Sequence, residues 1–171
     1  FMPTMAIAFA IGPMIGQNFG AHQPQRVRDV ANKGLLLNAG VMLVVSLFLQ
    51  INPTILVSFF TPEEDVIAVG GEFLRLISLN FIAQGIVFGC SGVFQGLGNT
   101  RPALLSSACR LAIFIPLAFL VAARDDFQIH DVWYVSVLSV WSQAVISYLL
   151  VQRELRNKVG KISQAAPAPA L

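Results

Sequence analysis

Charge is scarce in this chain, and what there is lies bunched between long uncharged stretches. Lys, Arg, Asp and Glu make up 12% of its 171 residues, about half the share of an ordinary soluble domain. No acidic or basic side chain occurs from Phe1 to Gln25, Gly34 to Pro62, Leu76 to Thr100, Leu111 to Ala123 or Val132 to Gln152. Histidine and cysteine are also sparse. His22 and His130 stand far apart, and Cys90 and Cys109 lack both metal-ligand spacing and the pattern of a disulfide framework. HExxH, GxSxG and P-loop patterns are absent. With no Asp or Glu inside an apolar block, an intramembrane acid–base centre has nothing to carry its proton. An enzyme and a resident metal or cofactor are therefore not expected. The net charge of +2, with no interleaving of basic and aromatic residues, gives no footprint for nucleic acid.

What fills the chain is hydrocarbon. Hydrophobic residues account for 56%, and mean hydropathy is +0.71. A helix rises about 1.5 Å per residue, so about 20 apolar residues cross a hydrocarbon core of roughly 30 Å. Four of the uncharged blocks are long enough, and the fifth becomes so if Pro102 to Cys109 joins it across Arg110. Core helices of a soluble protein would keep a polar face, and these blocks show little of one. The expected fold is all-α, a polytopic transmembrane bundle of about five spans at 1–17, 34–51, 73–95, 103–123 and 132–151.

The connections between these spans alternate in charge. One side receives Arg26, Arg28, Lys33, Arg101, Arg153, Arg156, Lys158 and Lys161. The other receives Glu63, Glu64, Asp65, Glu72, Asp125, Asp126 and Asp131 against only Arg75 and Arg124. An excess of Lys and Arg marks the cytoplasmic face. The chain is therefore expected to enter from outside and end in the cytoplasm, as a multi-pass protein of the plasma (inner) membrane. Phe1 opens in mid-hydrophobic sequence, without an initiator Met or a basic leading region, so a C-terminal fragment is expected.

Local signals refine the picture. Pro3, Gly12, Pro13 and Gly16 make the first span rich in breakers, suited to close packing or to a hinge. Gly20 ends that helix, and Pro24 opens an amphipathic stretch in which Val27, Val30 and Ala31 share a face. The second span carries one interior amide, Asn38, and stops at Asn52-Pro53. Thr54 to Phe60 is too short to cross, and Thr61 is placed to cap a helix whose first turn carries Glu63, Glu64 and Asp65. The third span holds Asn80 and Gln84, then Gly85, Gly89, Gly92 and Gly96 at intervals that permit close helix contact. A tight turn follows at Gly96 to Pro102. In the fourth span Arg110 either snorkels to the basic side or lines a wet cavity. The fifth has Trp133 and Tyr134 at its outer edge and Gln143 within. Residues 162–171, rich in Ala and Pro, are expected to be a disordered cytoplasmic tail.

Isolated amides in three spans, breaker-rich helices and one cation favour a moving bundle around a polar cavity over a channel, which would show a repeated filter or a ring of charge. Two motifs sharpen that. IGQNFGA at Ile15 to Ala21, and GVFQGLGNTRPA at Gly92 to Ala103 with Arg110 and Pro116 beyond, resemble loops of the multidrug and toxic compound extrusion (MATE) transporters. The motif residues are Gly16, Gln17, Gly20, Gly96, Gly98, Asn99, Thr100, Arg101 and Pro102.

The resemblance implies most of one six-helix lobe of a twelve-helix antiporter, completed by a missing N-terminal lobe. Such a protein would export amphipathic or cationic compounds in exchange for Na⁺ or H⁺ by alternating access. It also implies that Asn80, Gln84 and Arg110 give polar contacts to a cavity, with Phe81 and Phe88 as apolar surface. Counting back from the turn puts Gln84 near the ion-binding carboxylate of the NorM-like branch, and a neutral amide carries no proton. The coupling acid is then expected outside this segment. A lipid-linked oligosaccharide flippase of the same superfamily and a non-transporting scaffold are the alternatives.

Overall fold

The computed structural model describes residues 1–165, with side chains to residue 160. Seven helices run in order: α1 (Met2–Gly20), α2 (Pro24–Ile51), α3 (Pro53–Ser58), α4 (Glu64–Ile77), α5 (Leu79–Gly96), α6 (Arg101–Ala122) and α7 (Ile129–Ala165). The fold is an all-α polytopic transmembrane bundle. By length and composition α2, α6 and α7 can each cross a membrane, and α4 with α5, bent by 43° at their junction, are long and apolar enough only when taken together. The last turn of α1 carries Gln17 and Asn18, and this helix is not among those long and apolar enough on their own.

Prolines fix the helix starts. Pro24, Pro53 and Pro102 sit in the first turns of α2, α3 and α6, where a missing N–H costs nothing. The amphipathic stretch after Pro24 is continuous with the second span, giving one helix of 28 residues. The residues expected as a single third span fall instead into α4 and α5. Thr61 does not cap α4. Its Oγ1 accepts the Glu63 N–H at 3.3 Å, while Glu64 and Asp65 occupy the first turn. The helix of α7 continues through residues 162–165, the start of the segment expected to be a disordered tail, and the rest of that tail, 166–171, lies outside the described residues.

The bend between α4 and α5 contains neither Pro nor Gly; it falls at Ser78. Its carbonyls are taken up by polar side chains of α2, as a broken membrane helix requires. Ser46 Oγ donates to the Ser78 carbonyl at 2.8 Å. Gln50 Nε2 donates to the Arg75 carbonyl at 2.6 Å and to Ser78 Oγ at 2.9 Å.

α5 is the central element, packed against α1, α2 and α7, whereas α6 leans on α7 and barely touches α5. The apolar core is gathered at one end of the bundle. It joins Ile11 and Ile15 to Val27, Ala31 and Leu35, to Cys90, Val93 and Phe94, and to Val151 and Leu155. These are the ends that carry the basic connections. Towards the acidic connections the apolar packing is sparser, with a small cluster of Ala83, Val140 and Ala144, and buried polar side chains join it: Thr4, Asn38, Ser46, Ser78 and Asn80.

Candidate functional site

Glycine brings α5 unusually close to two neighbours. Gly85 and Gly89 face α2, where Met42 and Leu35 leave no room for a methyl group. Gly92 and Gly96 face α1, directly against the carbonyl oxygens of Ala8 and Gly12. The contact is reciprocal: a Cβ at Gly12 or Gly16 would lie 3.5 Å from the carbonyls of Gly92 and Gly96 respectively. Small residues on both helices thus let the backbones meet, the packing expected of such spacing in a membrane. The two motif segments, distant in sequence, touch at Gly16 and Gly96.

Within the bundle these contacts surround a set of neutral polar groups. Thr4 Oγ1 on α1 donates to Asn38 Oδ1 on α2 at 2.9 Å, and both side chains are fully buried. Asn38 Nδ2, Asn80 Oδ1 and Gln84 Oε1 are buried without a hydrogen-bond partner. An amide left unsatisfied in a dry interior costs on the order of 1–3 kcal/mol. Asn80 and Gln84 are one helical turn apart on α5. Phe81 and Phe88, three and four residues either side of Gln84, flank it. The Phe1 ring lies 5.4 Å from Phe81, edge to face, and 6.4 Å from Phe88. Amides and aromatic rings can accept hydrogen bonds, coordinate a cation or stack on an apolar solute; they cannot exchange a proton. No group of three or more His, Cys, Asp or Glu converges among the described residues.

Arg110 stands apart from this cluster. Its Nη1 donates to Gln143 Oε1 on α7 at 3.4 Å, and Gln143 Nε2 donates to Ser107 Oγ at 3.2 Å. The guanidinium therefore belongs to the α6–α7 contact. Asn80, Phe81, Gln84 and Phe88 share one helix; Arg110 does not join them.

The turn between α5 and α6 is held by motif residues together with Glu154 and Lys158 of α7, which sequence reasoning missed. Gly98 sits at φ +68°, a left-handed conformation natural to glycine. Asn99 Oδ1 accepts the Arg101 N–H at 3.3 Å, and its Nδ2 donates to Glu154 on α7 at 2.5 Å. Lys158 Nζ donates to the Leu97 carbonyl at 2.7 Å, a cation at a helix C-terminus. Thr100 is the N-cap of α6 without a side-chain cap bond, and Pro102 is buried behind it. Of the other motif residues, Gln17 is exposed and Gly20 faces open space. At the opposite end α4 and α7 meet through Phe73 and Trp133, 5.2 Å apart, and through His130 and Glu72 at 3.2 Å. The His130–Glu72 contact is about half exposed and contributes little to stability.

A family model described as MatE matches residues 1–120. The chain belongs to the MatE family. It is 27% identical over 158 residues to the multidrug export protein MepA of Staphylococcus aureus, covering 91% of this chain and 34% of that protein. It is 21% identical over 150 residues to a probable multidrug resistance protein NorM of Thermotoga maritima, covering 87% and 32%. The fold matches the crystal structure of the eukaryotic MATE transporter AtDTX14 with a TM-score of 0.78 and 19% identity, over 93% of this chain and 37% of that one. The chain thus spans about a third of the length of these relatives.

Proposed function

We propose that this MatE chain forms one lobe of a secondary active antiporter. It would export amphipathic or cationic compounds in exchange for Na⁺ or H⁺, and alternate its access to the two sides of the membrane. The observation that carries the reading is the face of α5 on which Gln84 holds an unsatisfied buried oxygen between Phe81 and Phe88. That pairing of a neutral acceptor with aromatic surface suits a bulky apolar cation. The names of MepA and NorM point to multidrug export in relatives. Asn80 and Gln84 act as cargo contacts in this reading. In this reading the coupling acid belongs outside this chain, because no carboxylate lines the cluster among the described residues. A missing N-terminal lobe would close the far wall of the cleft.

Asn80→Ala and Gln84→Ala in the full-length protein should lower efflux of a fluorescent cationic dye from a drug-sensitive host at unchanged membrane abundance. Efflux and resistance at the level of the unsubstituted protein would remove both residues from the cavity. The flippase reading draws on Arg110, and that cation is already engaged by Gln143. The scaffold reading would be favoured by an intact protein with no ion-dependent flux.

The distribution of basic connections supports a plasma (inner) membrane orientation with Arg26 and the end of α7 in the cytoplasm. Single cysteines placed at positions 26 and 125 of a cysteine-free protein should label from opposite sides. Labelling of both by an impermeant reagent added outside would overturn this topology.

A further inference from the structure

The basic end of the α6–α7 contact carries a groove of about 610 Å³ that the export reading leaves unused. The two helices run antiparallel, with Asn99 opposite Glu154 and Ser107 opposite Gln143. That register brings Arg101, at the start of α6, beside Arg153 on α7, and both line the groove and are exposed. Further in lie Leu104, Leu105, Ala108 and Leu150. Leu105 and Ala108 stand about 6 and 10 Å deeper than Arg101 along the helix axis.

We propose that this groove binds an anionic phospholipid, its phosphodiester held by Arg101 and Arg153 and one acyl chain laid along the leucines. Charge complementarity commits the occupant. Neither arginine has an acidic partner among the described residues, where the one contact of a basic with an acidic side chain within 4 Å is His130 with Glu72. The carboxylate that lines the same groove, Glu154, is turned to the α5–α6 turn and accepts from Asn99. Two guanidinium forks at headgroup level match a phosphate in shape as well as sign. Basic pockets between membrane helices on the cytoplasmic side have this selectivity. A free phosphate would use the arginines and leave the apolar walls bare. The lipid uses both. The site depends on the bundle lying in a membrane and not on the cargo, so a failed export assay would leave it standing.

The test is lipid retention by the full-length protein, purified from mixed nanodiscs of phosphatidylglycerol and phosphatidylcholine with identical acyl chains and read by native mass spectrometry. Phosphatidylglycerol should be retained preferentially; each of Arg101→Gln and Arg153→Gln should reduce that preference about fivefold, and the double variant Arg101→Gln with Arg153→Gln should reduce it further. Arg28→Gln with Arg156→Gln removes the same charge from the same face outside the groove and should leave the preference intact. Leu105→Trp, which fills the groove while keeping both arginines, should also lower retention. Equal retention of the two lipids by the unsubstituted protein would overturn the proposal. So would equal losses in the two double-arginine variants, which would mark a diffuse field. Displacement of the lipid by millimolar inorganic phosphate, unaffected by Leu105→Trp, would identify a phosphate site instead.

Discussion

Gly92 on α5 presses its bare face onto the carbonyl oxygen of Ala8 on α1, so close that even a methyl group has no place. The obstacle is backbone, which cannot rotate away as a side chain tip can. One turn on, Gly96 meets the carbonyl of Gly12 in the same way.

Gly92→Ala should therefore force α1 and α5 apart at a cost of about 1–3 kcal/mol. Gly40→Ala is the control: nothing lies within 4 Å of a Cβ there, and alanine is the better helix former. Thermal unfolding in detergent should show Gly92→Ala melting well below the unsubstituted protein and Gly40→Ala at or above it. Equal melting of the two variants would deny the close approach.

Lys158 ties the end of α5 to α7 through the Leu97 carbonyl. Lys158→Met keeps most of the side chain's apolar stem and deletes the charged donor, a loss of about 1.5–3 kcal/mol for a hydrogen bond to a charged group. Hydrogen exchange of the amides at 97–100 should quicken, while those in the middle of α5 keep their protection. Unchanged exchange in the turn would show that the lysine contributes nothing there.

Arg110 and Gln143 should behave as a coupled pair. Gln143→Leu leaves a half-buried guanidinium without its acceptor, and Arg110→Leu removes the charge that needs one. A double-mutant cycle on unfolding free energy should give a coupling of about 0.5–3 kcal/mol, with the double variant less damaged than the sum of the singles. Strict additivity would mean that the two side chains do not interact.

The long apolar helices α2, α6 and α7 were legible because their cause is compositional: long uncharged blocks between charged connections suit lipid. The glycine spacing of α5 was legible too, though not which glycine met which helix. Spacing shows that small residues share a stripe; only the structure divides it, giving Gly85 and Gly89 to α2 and Gly92 and Gly96 to α1. The break at Ser78 left no mark, since its causes are Ser46 and Gln50 on another helix. Neither residue is unusual near the end of a span. Arg110 was left between snorkelling and a wet cavity, and its amide partner on α7 could not be read from either. Lys158 and Glu154 read as ordinary tail charges until the fold laid them beside the turn at Leu97 to Asn99. In each case a short-range pattern fixed the element, and a distant partner fixed its role.

The lopsided attachment of α6, which leans on α7 and hardly meets α5, gives the chain two tempos of sequence drift. A change on α5 is felt by three neighbours at once, so few replacements there can be absorbed. On α6 most side chains outside the α7 contact ask only to be greasy. Random mutagenesis should accordingly find α6 the most forgiving of the long helices, provided that its seam with α7 is spared.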